Sequence, residues 1–193
     1  MGKWLERYWI WLASIPKDVH PRGGTGENCG TDQVGPVWYL DLPVDRPMKQ
    51  TRYCEIPEDK AIFVPVLVSQ CDKTVASVHN YEGYIDCAKK DNENGNMKFH
   101  IDGKPLLEIN PTSEEHYSLY RTLSDLFNMT WIENNVVGAD PGPVEAASDG
   151  YFVIVQPLPL GDHQMYIESN LLGLGQNEIT YNIKIVKNES SSS

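Results

Sequence analysis

The chain reads as a mainly β protein, an antiparallel β-sandwich of immunoglobulin-like or jelly-roll-like type with a short amphipathic helix at its N-terminus. Three observations predict it. Two late segments alternate: His163, Met165 and Ile167 against Gln164, Tyr166 and Glu168, then Ile179, Tyr181, Ile183 and Ile185 against Thr180, Asn182, Lys184 and Val186. Such alternation puts one face in a core and one in water. Short runs rich in β-branched and aromatic residues, separated by turn signals, make seven or so strands. Asp102-Gly103 stands between the runs 97–101 and 105–109 as a two-residue hairpin signal.

In chain order, residues 3–15 carry Leu5, Tyr8, Trp9 and Leu12 at i, i+3, i+4 and i+7, a helical stripe that Pro16 ends, so 1–16 is an aromatic helix. The same aromatics could lie on a membrane surface. Helices that do so carry Lys and Arg along the polar face, however, and this one has only Lys3 and Arg7 against Glu6, so packing onto the domain's own core is expected. Residues 17–36 hold His20-Pro21, Gly23-Gly24, Gly26, Gly30 and Gly35-Pro36, breakers too close together for a regular element. The sandwich domain runs over 37–187. Strands are expected at 37–42 and 61–68, with Pro65 marking an edge or a bulge. Asn94-Gly95 is a second hairpin signal. Residues 112–127 stay open between helix and strand: Thr112 with Glu115 resembles a capping box, and Leu119, Leu123, Leu126 and Phe127 have helical spacing. Residues 151–155 form a buried run opened by Asp149-Gly150, and 188–193 is a solvated tail.

The 193 residues suit one domain, since two independent cores would each have fewer than about 100 residues. Sixteen basic against 27 acidic residues give a formal charge of -11 with no basic stripe, which disfavours a nucleic-acid partner. No run reaches the roughly 18 apolar residues of a transmembrane helix. A monomer is the simplest state. Cys29, Cys54, Cys71 and Cys87 match neither a zinc ribbon nor a redox motif. Their even number and wide spacing fit two disulfides, with Cys29 to Cys54 and Cys71 to Cys87 expected among three connectivities. Asn128-Met129-Thr130 and Asn188-Glu189-Ser190 are glycosylation sequons, which also favour an oxidising compartment. Residues 1–12 do not have the form of an export signal, so the chain is expected to be a mature or truncated form of an extracellular or cell-surface protein.

Several motifs recur together: SIP at 14–16, TGENC at 25–29, GPVWYL at 35–40, CEIPEDKAIFVPV at 54–66 and SDGYFVIVQPLPLGDHQMYI at 148–167. In this combination the chain resembles a widespread set of uncharacterised, mostly exported proteins. In those a GPVWFL-like strand precedes a Cys, an IP dipeptide and a KALFFPV-like strand, and a DGY segment leads into a PL-x-x-G-x-H segment. The resemblance covers most of the chain. It implies a secreted β-sandwich with Cys29 and Cys54 in the shared framework, and it brings no activity. Cys87 departs from the pattern.

Chemistry is sparsely written. Of His20, His79, His100, His116 and His163, no pair has the i, i+4 spacing of a helical metal site. His163 is expected as a neutral ring hydrogen-bonded at the core's edge. No G-x-S-x-G occurs, and Ser148-Asp149-Gly150 sits in a turn, so a serine hydrolase is weak. No cofactor is expected beyond a calcium ion in 86–96, where Asp91, Asn92, Glu93, Asn94 and Asn96 gather hard oxygen ligands around a Gly. A polar hairpin tip explains the same residues. Trp9, Trp11, Trp38 and Tyr39 are flat amphipathic surfaces that could stack on a glycan or anchor a surface protein. In the competing and preferred reading, Trp38 is core and the N-terminal tryptophans cover an open side of the sandwich. The expected function is a non-catalytic secreted or cell-surface binding or structural module. The alternatives are a carboxylate-dependent hydrolase of polysaccharide or cell-envelope material, and a subunit of a surface assembly docked through residues 1–12.

Overall fold

Strand β10 (Gly175–Val186) buries Ile179, Tyr181, Ile183 and Ile185 while Lys184 stays exposed. It forms the spine of a five-stranded sheet in the order β2 (Met48–Pro57), β10, β9 (Gly161–Leu171), β4 (Asn96–Ile101), β5 (Lys104–Ile109). The second five-stranded sheet runs β1 (Val37–Tyr39), β3 (Ala61–Asp72), β8 (Gly142–Val155), with β6 (Thr122–Leu123) and β7 (Phe127–Trp131) both pairing with β8. This computed structural model describes residues 1–42, 48–77, 79–92, 95–109, 121–171 and 175–188.

The β3/β8 sheet is covered on both faces, which is why β3 has a continuous apolar run. On one face Ile62, Val64, Val66 and Tyr151 meet Phe99, Met165, Ile167 and Ile183 of the β10 sheet. On the other, Tyr39, Phe63, Met129 and Phe152 lie under Leu5, Tyr8, Trp11 and Leu12 of helix α1 (Gly2–Ala13). Ring stacking runs through this second layer: Tyr8 on Phe63 at 5.1 Å, Phe63 on Phe152 at 4.7 Å, and Trp11 on Tyr39 at 5.3 Å between centroids. Each large apolar side chain so buried contributes about 1.5–3 kcal/mol. Helix α2 (Tyr81–Asn92) closes a third cluster, with Tyr84, Ile85 and Ala88 against Cys71 and Ala147.

The Asp102-Gly103 hairpin forms, both residues having positive φ (50° and 74°) as a type I′ turn demands. The register of β3 against β8 slips between Pro65 and Leu67, so the proline sits at a bulge. Both expected disulfides are closed, Cys29 to Cys54 and Cys71 to Cys87, with Cα separations of 5.7 and 6.0 Å. The first ties the 17–36 loop to β2. The loop also seals that strand's outer edge, since Thr25 O accepts from the Tyr53 N–H at 2.8 Å. Gly26 (φ 120°) passes so close that a Cβ would collide with the Tyr53 carbonyl.

Several expectations need correction. The sheets are mixed: β1 pairs with β3, and β10 with β2, in parallel. Alternation reports a wet and a dry face and carries no information on strand direction. Strand β2 was hidden by its polar composition, because its inward position 52 is an arginine, 1% exposed. Asn94 lies outside the described residues, and the elements on either side of Asn94-Gly95 are helix α2 and strand β4 rather than two strands. The signal for α2 was present: Tyr81, Tyr84, Ile85 and Ala88 have helical spacing, and Asn80 Oδ1 accepts from the Gly83 N–H at 2.8 Å as an N-cap. The Thr112 and Glu115 capping box and Leu119 lie outside the described residues, while Leu123 and Phe127 are in strands.

Candidate functional site

Two buried polar clusters stand out, and both are consumed by the fold. Asp41, fully buried, accepts from Arg22 Nε at 2.7 Å and Nη2 at 2.9 Å, from the Leu42 N–H at 2.8 Å, and from the Tyr8 hydroxyl at very short range. Burial would raise its carboxyl, but Arg22 holds it below the ordinary range. Arg52 donates to the Asp41 carbonyl and to the Tyr181 hydroxyl, each at 3.0 Å. His20 Nδ1 accepts from the Arg22 backbone N–H at 3.0 Å, which leaves Nε2–H to donate to the Leu12 carbonyl at 3.2 Å. That pattern specifies a neutral ring, and burial lowers its pKa accordingly. In the second cluster Arg121 grips Asp149 with two nitrogens at 2.7–3.0 Å, and Asn92 Nδ2 donates to the same carboxylate at 3.0 Å. These groups have spent their capacity on one another.

The solvent face of the β10 sheet is different. Register places outward side chains in cross-strand rows: Tyr53, Asn182 and Gln164; then Glu55, Lys184 and Asp162; and, towards the other end, Thr51, Thr180, Tyr166 and His100. Around the first two rows lies an open trough of about 590 Å³, bordered by Asp102 and His163. Its chemistry is that of a polar binding surface. Tyr53 is 60% exposed, Gln164 Nε2 donates to Asn182 Oδ1 at 3.2 Å, and Lys184 meets Glu55 at 3.4 Å.

One wall is rigid. Asp102, in the I′ turn, accepts from the Gln164 N–H at 2.9 Å and from His163 Nδ1–H at 2.8 Å, while His163 Nε2–H donates to the Pro159 carbonyl at 3.0 Å. Both ring nitrogens face acceptors, so the ring that satisfies this site is the imidazolium. The expectation of a neutral His163 is thus corrected. Partial burial would lower its pKa, but the bonds to Asp102 and Pro159 and the charges of Asp102 and Asp162 raise it. Asp102 is correspondingly held low: burial opposes this, and the Gln164 N–H and His163 prevail.

The four aromatics picked out in the sequence lie in the interior. Trp9, Trp11, Trp38 and Tyr39 are at most 8% exposed. Trp9 Nε1 donates to Ser148 Oγ at 2.8 Å, and Trp11 stacks on Tyr39. Their rings pack in the core, and Trp9 also lines a small pocket of about 280 Å³ with Asp72 and Trp131. Of the calcium set, Glu93 and Asn94 lie outside the described residues, as does the side chain of Asp91, which belongs to α2; Asn96 opens β4. Among the described residues, no group of three or more His, Cys, Asp or Glu is placed to hold a metal. Asn128 is exposed on β7, while Asn188 Nδ2 donates to Asp59 at 3.1 Å. The trough residues were missed because they are the polar half of each alternation, Gln164 and Asn182 among them. Only the register shows that these positions and Tyr53 stand side by side. No family model, curated protein or solved structure matches this chain.

Proposed function

We propose that the protein is a non-catalytic, extracellular or cell-surface β-sandwich module, monomeric, that binds a hydroxyl-rich ligand such as a glycan in the trough on the β10 sheet. The observation that carries this reading is the composition of the trough. An exposed tyrosine ring stands beside two carboxamides, two carboxylates and an ammonium on adjacent strands, with the carboxylate of Asp102 added from the neighbouring turn. A sugar needs a flat apolar surface for its C–H face and donor and acceptor groups for its hydroxyls. Rigid strands supply both without loss of loop entropy. The two closed disulfides support an oxidising compartment, and no helix among the described residues is long and apolar enough to cross a membrane. The resemblance to exported proteins agrees with that placement.

The hydrolase alternative is less favoured. A glycosidase needs one carboxyl kept protonated as a general acid, and Asp102, one of the three trough carboxylates, is pushed the other way. The experiment is a thermal-shift screen of neutral, acidic and amino oligosaccharides, followed by calorimetric titration of the hits. A ligand that binds the native protein raises its melting temperature by mass action. Tyr53→Ala is expected to weaken a hit at least about tenfold, the weight of one truncated aromatic anchor. Hydrolysis of the ligand during titration would instead favour the enzyme.

A further inference from the structure

We infer that Asn128 is a site of N-linked glycosylation, its amide nitrogen carrying an oligosaccharide. The inference rests on the extracellular placement proposed above. Three Asn-x-Ser/Thr triplets occur: Asn110-Pro111-Thr112, Asn128-Met129-Thr130 and Asn188-Glu189-Ser190. Proline in the middle position disqualifies the first.

Structure separates the other two. On β7 the side chains alternate, Phe127, Met129 and Trp131 buried in the layer beneath α1, Asn128 and Thr130 exposed. Residues two apart on a strand share a face, so the amide to be modified and the hydroxyl the triplet requires stand together in water. Neither side chain is held by another described residue, so a glycan there costs the fold no contact. Asn188 is engaged instead, its Nδ2 donating to Asp59 Oδ2 at 3.1 Å. Among the described residues strand β7 also pairs only with β8, Asn128 lying opposite Glu145, and no described strand pairs with its other side. Open edges invite pairing with another chain, and a bulky hydrated substituent at Asn128 would block it.

The step is a group transfer with no change of oxidation state. Asn128 Nδ2 attacks C1 of the first sugar of a lipid pyrophosphate-linked oligosaccharide and passes one proton to a base of the transferring enzyme. The Nδ2–C1 bond forms, the C1–O bond to phosphate breaks, and the lipid pyrophosphate leaves with the electron pair.

The test is secretion of the full chain from a host that glycosylates Asn-x-Thr, followed by intact-mass and peptide mass spectrometry with a count of free thiols. Expected is a glycan on the peptide containing Asn128. It should be absent from Asn128→Gln and Thr130→Ala, both of which keep the wild-type melting temperature of the enzymatically deglycosylated protein, and unaffected by Asn188→Gln. Secreted protein with no free thiols and an unmodified Asn128 peptide overturns this inference and leaves the extracellular reading intact. Protein retained in the cell with four free thiols overturns both.

Discussion

Asp41 and His163 show how the same kind of group serves two ends. Asp41 is fully buried and joined to Arg22, and Tyr8 of α1 and Arg52 of β2 converge on the same residue, so it links the N-terminal helix, the entry loop and the β10 sheet. Removing one partner of a buried pair leaves the other charge unsatisfied, so Asp41→Ala should destabilise by about 3–5 kcal/mol in denaturant unfolding. His163 is an exposed-side counterpart whose effect is read by pH. Its pKa is raised on folding, so its contribution is fully present below its ordinary value of 6.5 and is lost as pH rises through the higher folded value. Asp102, held low, contributes above its ordinary 3.8 and loses that only as pH falls through its folded value. The pair is therefore strongest between those two ordinary values, 3.8 and 6.5. Buried His20 acts with the opposite sign to His163: its lowered pKa means the unfolded chain binds a proton first, so stability falls as pH drops below 6.5. Melting temperatures across this range should show His163→Gln losing the decline above pH 6.5 while keeping the acid-side one.

At the scale of elements, α1 covers one face of the β3/β8 sheet. Tyr8→Ala removes a ring packed on Phe63 together with the hydroxyl bonded to Asp41, and should cost about 3–5 kcal/mol. Deleting residues 1–15 should abolish cooperative unfolding, seen by calorimetry, because Tyr39, Phe63 and Phe152 would be bared to water. Opening the bridge from α2 to β3 with Cys71→Ser and Cys87→Ser should cost about 3 kcal/mol, the chain-entropy value for its separation of 16 residues. These elements differ in how far the sequence disclosed them. The α1 stripe, the strands β9 and β10 and the Asp102-Gly103 turn were legible because each follows from local spacing alone. Strand β2 was not, because Arg52 stands where an apolar residue marks a core position and is made tolerable only by partners far off in sequence, such as Asp41 and Tyr181. Helix α2 was obscured by the oxygen-rich stretch at its end, where Asn92 donates to Asp149 inside the protein.

The whole molecule turns one sheet face into structure twice covered and leaves the other sheet's outer face wet. Site residues were correspondingly hard to foresee. Conspicuous tryptophans went to the core, and the exposed positions became a surface only through strand register. Ionic strength distinguishes the ligand classes. The chain carries a formal charge of -11, so a basic ligand would bind less tightly as salt rises, whereas a neutral hydroxyl-rich one should keep its affinity between about 0.05 and 0.5 M salt, where screening of exposed charges becomes nearly complete. The central claim, that the trough is the binding surface, is tested most directly by amide chemical-shift mapping during titration with the best oligosaccharide of the screen. Shifts are expected only at Tyr53, Gln164, Asn182 and their strand neighbours. Shifts clustered instead on the β3/β8 sheet or α1, with those three residues unmoved, would contradict it.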